Sequence, residues 1–360
     1  MNNYSNNIDK TVAAREGEVP DSYKLKKYLA SHLPGLEGEL VIEQFPGGYS
    51  NLTFLLKMSG KEYVLRKPPN GSNIKSAHDM GREFNVLTAL KPVYKPIPSP
   101  ILYCDDSTVI GSPFYIMERV RGIILRNRVP KDMELTPSTM RSISESAIDN
   151  LAALHSIDLD TSGLIKLGKP EGYIQRQVEG WIKRYKASET DSIEGINKTA
   201  EWMLANKPDD AEPAFIHNDY KYDNLVLDPG NLQRIMAVLD WEMATVGSPL
   251  MDLGTSLGYW GEAKDSDALK AFNLTWLPGN LTREEVVIRY AETKQITIPD
   301  MVFYYVFGSF KIGVIVQQIY ARYKKGFTSD ARFASLLQVV EACAINAQHA
   351  IRFNRISNFY

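Results

Sequence analysis

The stretch "FIHNDYKYDNLVLD", residues 215–228, gathers His217, Asp219, Lys221, Asp223 and Asn224 into ten residues between two apolar runs. Charged groups are costly to bury unless they are paired or bind a metal. Phe215-Ile216 and Leu225-Val226-Leu227 read as short buried strands. The polar residues between them therefore form a loop held by core strands. Such loops often seat catalytic side chains, and they also occur as plain polar turns.

His217-x-Asp219-x-x-x-x-Asn224 has the spacing of a kinase catalytic loop. The chemistry explains the residue types. An acceptor hydroxyl needs a carboxylate to orient it and take its proton, and Asp219 suits that role. Magnesium bridging phosphates needs hard oxygen ligands, which Asn224 and the Asp240 of "VLDWEMA" supply. Lys221 places positive charge where a phosphoryl group in transfer needs it. His217 reads as a structural, hydrogen-bonded histidine and Asp223 as a supporting loop carboxylate. The competing reading is a polar turn capped by Asp and Asn.

On the N-terminal side, residues 39–67 read as three strands, "ELVIEQF", "SNLTFLLKM" and "KEYVLRK", separated by the turns "PGGY" and "SGKE". A helix is expected in "SAHDMGREFNVLTALK" with Ser76 as N-cap. The strands "PILYC" and "PFYIMERV" complete this part. From Thr136 the pattern becomes helical, with Thr136 as N-cap and Pro137 at the first helical position. Further helices are expected at 172–187, 193–206, 282–294, 300–323 and 329–354. The polar loop and a strand in "RIMAVLDWEMA" interrupt this helical half. Residues 1–20 are expected to be a flexible polar segment. An N-terminal lobe over 21–117, a hinge at 118–122 and a C-terminal lobe over 123–360 follow. Two lobes joined by a hinge imply a ligand cleft.

Composition narrows the function classes. With 360 residues the chain suggests two or three packed units. Its 41 basic and 43 acidic residues give no global support for nucleic-acid binding. Cys104 and Cys343 make neither a disulfide framework nor a CxxC metal site. The start lacks an apolar signal region, so a cytoplasmic protein is expected. The longest apolar stretch, 301–316, contains Lys311 and reads as a buried helix rather than a membrane insertion.

These motifs, with "AVLDWEMATVGSPLMDLG", "GGYSNLTFLL", "YVLRKPP" and "YIMERVRG", resemble the aminoglycoside phosphotransferase and choline kinase-like family over nearly all of residues 35–350. The resemblance implies an α+β, bilobal protein kinase-like fold. A small antiparallel sheet with one main helix would form the N-terminal lobe, and helices most of the C-terminal one. "REGEVPDSYKLKKYL" and "LRKPP" look like the subgroup fused, in larger proteins, to acyl-CoA dehydrogenase domains; only the kinase-like half is expected here.

The resemblance also assigns roles. Gly47, Gly48, Ser50 and Asn51 would lie near the phosphates, in a hairpin whose N–H groups can cradle anionic oxygens. Arg66 falls where kinases place the strand lysine, and its forked guanidinium can serve. Glu83 would be its helix partner, while Lys67 would face solvent on the opposite side of the strand. Met117 would line the back of the adenine pocket, with backbone groups of Glu118 and Val120 pairing with the base edge. Asp252 would support the catalytic loop. Asn218 replaces the glycine common in the family, and asparagine can adopt the same left-handed geometry. Asp240-Trp241-Glu242 replaces the protein kinases' DFG, which argues against an activation-segment switch.

The implied activity is ATP- and magnesium-dependent phosphoryl transfer to the hydroxyl of a small molecule. A nucleotide-binding pseudokinase, a protein kinase and an antibiotic phosphotransferase are the alternatives. Fold does not fix the acceptor. The subgroup points to a hydroxy acid or hydroxyacyl thioester. Trp181, Tyr185, Tyr259 and Trp260 are candidates to line its pocket, with plain core packing as the alternative. Residues 281–360 hold ten Lys and Arg against six acidic residues, an excess that would favour an anionic acceptor over a polycation.

Overall fold

The computed structural model describes residues 4–360 apart from 16, 47–50, 70–78, 299 and 328–330. Contacts divide the chain into two units. One comprises Met1–Ile123, Val226–Asn231 and Met236–Glu242; the other comprises Ile124–Leu225, Leu232–Ile235 and Met243–Tyr360.

The N-terminal unit contains β1 (Val12–Ala13), α1 (Ser22–His32), β2 (Val41–Gln44), β3 (Leu52–Met58), β4 (Lys61–Lys67), α2 (Met80–Leu90), β5 (Pro100–Cys104), α3 (Ser107–Ile110) and β6 (Phe114–Glu118). Its sheet is antiparallel throughout, in the order β1-β2-β3-β4-β6-β5. Phe54, Leu56, Leu65, Phe114 and Ile116 form a core on one face with Leu25 and Leu29 of α1. The cap of α2 is not Ser76, which lies outside the described residues. Asp79 caps it, accepting a hydrogen bond from the Arg82 N–H at 2.9 Å. The segment expected to be flexible supplies β1, an edge strand, and its Arg15 N–H donates to Gln44 Oε1 at 2.9 Å.

The remaining elements are α4 (Pro137–Leu154), α5 (Tyr173–Ser188), α6 (Glu194–Ala205), β7 (Ala214–Ile216), β8 (Leu225–Asp228), β9 (Asn231–Val238), β10 (Thr245–Gly247), α7 (Pro249–Tyr259), α8 (Asp267–Lys270), α9 (Arg283–Lys294), α10 (Val302–Lys324) and α11 (Leu336–Phe353). Local signals set the helix starts. Thr136 caps α4 ahead of Pro137, and Thr282 and Glu285 form a capping box on α9. Helix α10 is long and apolar enough to cross a membrane, yet it is the buried core helix of its unit, packed against α5, α6, α7 and α11. At the α7–α10 contact a Cβ on Gly308 would fall on the Gly254 carbonyl, so glycine lets the two backbones touch.

Much of the β8–β9 ribbon, which follows residue 123 in the chain, groups with the N-terminal unit. Ile123 and Leu227 exchange backbone hydrogen bonds of 2.9 and 2.8 Å, and Val238 N–H donates to Pro96 O at 2.7 Å. Asp240 therefore belongs with the sheet.

Candidate active site

In the C-terminal unit, β7 pairs with β10 and leads into the polar loop. Asp252, in the first turn of α7, is fully buried and accepts the N–H groups of His217 at 2.7 Å and Asn218 at 2.8 Å. His155 Nε2 lies 3.1 Å from Asp252, and Tyr290 OH lies 2.7 Å from His155 Nδ1. Burial alone would raise the Asp252 carboxyl; His155 and the His217 N–H outweigh it and hold it low. Asp252 supports the loop as expected, and it does so by fixing backbone.

Asn218 has φ +66°, the left-handed geometry expected of it. Its Nδ2 donates to Met243 O at 3.1 Å, and Tyr173 OH donates to its Oδ1 at 3.1 Å. The Asp219 N–H donates to Nδ1 of buried His217 at 3.2 Å, so that ring nitrogen is the acceptor in this bond.

Two donors converge on Asp219 Oδ2: Lys221 Nζ at 2.8 Å and Asn224 Nδ2 at 3.2 Å. Lys221 also lies over the Tyr259 ring, 4.5 Å from its centre. Burial opposes its ammonium, but Asp219, with Tyr259 and Asp223, prevails and raises its proton affinity. Asn224 Nδ2 also donates to Asp219 O at 2.8 Å. With its N–H groups turned to Asp219, Asn224 has its Oδ1, the hard donor magnesium prefers, on the other side of the amide. Burial pushes the Asp223 carboxyl up to about 6 against the pull of Lys221 and Arg126, and its Oδ1 has no hydrogen-bond partner.

Of the four candidate aromatics, all are buried. Tyr259 sits at the loop under Lys221, while Trp260 is a core residue whose indole N–H donates to Leu281 O at 2.8 Å. Tyr185 packs on Phe310, and Trp181 carries Arg184 over its ring at 4.6 Å. His155 and Tyr173 were not legible as loop partners, because lone residues on distant helices carry no local signal.

In the N-terminal unit Arg66, Glu83 and Asp240 assemble from β4, α2 and the segment after β9. Arg66 Nη1 lies 3.0 Å from Glu83 Oε1, and its Nη2 donates to Asp240 Oδ1 at 2.8 Å. Burial raises the Glu83 carboxyl against the pull of Arg66. Asp240 itself has φ +69°, a conformation unusual for a residue with a side chain. Its carboxylate is a suitable hard ligand for magnesium, but it is shared with Arg66.

Asn51 Nδ2 donates to Glu242 Oε2 at 2.8 Å, and Arg82 Nη1 donates to Glu242 O at 2.8 Å. Gly47, Gly48 and Ser50 lie outside the described residues. Lys67, expected in solvent, is buried, and burial lowers its proton affinity. Met117 is buried at the end of β6. The Glu118 N–H is engaged with Ser99 O at 2.9 Å and so is not free to pair with a base. Arg119 and Arg121 fasten the connector to Glu62 of β4 at 2.8 and 2.7 Å. Bonds from Arg121 and Arg119 hold the Glu62 carboxyl down at about 2.

Residues 41–286 match the phosphotransferase enzyme family, and the chain belongs to it. A curated relative, acyl-CoA dehydrogenase family member 11 of Gallus gallus, is 36% identical over 352 residues, covering 94% of this chain and 45% of its own. The chain spans less than half the length of the first curated relatives it matches. A solved structure from Ralstonia eutropha, provisionally assigned as an aminoglycoside phosphotransferase, is 31% identical with TM-score 0.75, covering 92% of this chain and 99% of that one. Choline kinase of Cryptosporidium parvum shares the fold at 15% identity and TM-score 0.60, covering 93% and 97%. Fold and family thus define a kinase-like phosphotransferase of the small-molecule class.

Proposed function

We propose that the protein transfers the γ-phosphoryl group of ATP to a hydroxyl of a small hydroxy acid or its thioester. Asp219 orients the hydroxyl and takes its proton. Lys221 stabilises charge on the phosphoryl group in transfer, and Asn224 and Asp240 would each offer magnesium a hard oxygen ligand. Arg66, kept in place by Glu83, contacts the nucleotide phosphates together with Asn51. Met117 lines the adenine pocket, and the backbone of Glu118 and Val120 meets the base edge. Magnesium, when bound, would neutralise phosphate charge.

The observation that carries this reading is the convergence of Lys221 and Asn224 on one oxygen of Asp219. That arrangement fixes the orientation of a carboxylate that can accept the hydroxyl proton and sets a positive charge beside it for the phosphoryl group. The acceptor class rests on the dehydrogenase-named relatives. It gains little from the basic excess at 281–360, part of which is paired within the unit. Arg289 pairs with Asp149 at 2.6 Å, Lys324 with Asp191 at 3.4 Å, and Arg283 with Asp265 and Glu262.

The test is ATP consumption against hydroxy acids, their coenzyme A esters, choline and aminoglycosides, with products identified by mass spectrometry. Asp219→Asn should lower turnover by about a hundredfold or more while leaving ATP binding intact. Unchanged turnover in that variant, or turnover confined to aminoglycosides, would defeat the assignment.

A further inference from the structure

Between residues 302 and 321 of α10, Lys311 is the only charged side chain, and it is 1% exposed. A methionine would fill similar space without the several kcal/mol that burial of an ammonium costs. The charge meets a backbone group: Lys311 Nζ donates to Asn218 O at 2.6 Å, with Asn218 Oδ1 at 3.4 Å. The Trp181 ring centre is 5.5 Å away.

That carbonyl belongs to the peptide joining Asn218 to Asp219. The N–H of the same peptide donates to His217 Nδ1 at 3.2 Å. A peptide unit is planar, so holding its oxygen and its hydrogen fixes the plane from which the Asp219 side chain departs. The Gly254–Gly308 contact brings α10 against α7, the helix that carries Asp252. Two neighbouring helices thus grip the loop, α7 through the N–H groups of 217 and 218, and α10 through the carbonyl of 218.

We propose that Lys311 is a positioning residue for phosphoryl transfer: its ammonium locks the 218–219 peptide and so aims the Asp219 carboxylate, and loss of its proton slackens the lock. The proposal rests on Asp219 being the base.

Burial brings the Lys311 proton affinity down to about 8. Asp252 and Asp219 resist that fall, while Lys221 and Arg184 add to it. The lock is therefore charge-assisted at neutral pH and weakens on the alkaline side. Its contribution to global stability moves the other way. Between about 8 and 10.5 the unfolded chain holds this proton and the folded chain does not, so the lysine's contribution to stability improves as pH rises. Alkaline loosening of the loop is then separable from unfolding.

Hydrogen exchange on the full chain reads the lock directly. After correction for intrinsic rates, wild-type protection over 215–224 should fall about tenfold from pH 7 to 9, with α11 unchanged. Lys311→Arg, which does not titrate in this range, should abolish that dependence. Lys311→Met should show the loosened loop already at pH 7. With an acceptor in hand, wild-type kcat should lose activity above about pH 8, the KM for ATP should stay constant, and Lys311→Arg should remove the alkaline limb. Loop protection that ignores pH in the wild type, or survives in Lys311→Met, overturns the proposal. If Lys311→Met fails to fold, the wild-type pH series and Lys311→Arg decide. A wild-type chain that phosphorylates no acceptor refutes the reaction instead, by a readout independent of exchange.

Discussion

Asp252 and Arg66 are both buried charges, and they are satisfied differently. In the C-terminal unit Asp252 holds main chain, the N–H groups of His217 and Asn218, and meets the His155 side chain. In the N-terminal unit Arg66 holds side chains, Glu83 and Asp240, from elements far apart in sequence. The first arrangement dictates the path of a loop. The second dictates where charged groups sit and leaves the backbone to the sheet and helix that carry them. Damage to the first should therefore appear as lost structure, and damage to the second as lost ligand binding.

The largest effect is expected from Asp252→Ala. It leaves two buried N–H groups and a buried histidine without their acceptor, and should cost about 3–5 kcal/mol in urea unfolding. A loss below about 1 kcal/mol would mean that the loop is held by its other bonds and that the contrast with Arg66 is wrong.

Asp240→Ala should be milder for the fold, because Arg66 retains Glu83 at 3.0 Å. Its effect should fall on magnesium-dependent nucleotide affinity, with a loss of at least tenfold, about 1.4 kcal/mol, by calorimetry. Wild-type affinity in this variant would make Asp240 a structural partner of Arg66 only. Loss of loop protection at 217–220 would show that the clusters are not independent.

Asn218→Gly should change least. Glycine relieves the left-handed strain of roughly 1–2 kcal/mol but gives up the bonds to Met243 and Tyr173. The two terms oppose each other, so the melting temperature should shift by only a few degrees. A large drop would show that the asparagine side chain, and not its backbone geometry, holds the turn.

Where the relevant physics lies within a few residues, the sequence by itself determined much. The spacing of Asp219, Lys221 and Asn224, the left-handed turn at Asn218, the Thr136-Pro137 helix start and the strands of the sheet all follow from local chemistry and side-chain period. Weak local patterns were missed. Helix α1 buries only Leu25 and Leu29, and both residues of β1 are exposed, so neither shows a strong apolar stripe. Helix α7 went unseen behind its loop motif.

Only the tertiary structure decided the partners. Strand alternation put Lys67 in solvent, but its surroundings bury it. Part of the charge excess along 281–360 is paired by Asp149, Asp191, Glu262 and Asp265 from elsewhere in the chain. The joining of Arg66 to Asp240 across 174 positions, and of Lys311 to Asn218 across 93, has no local signature. A side chain's environment is set by what packs against it, and packing partners are chosen by the whole fold.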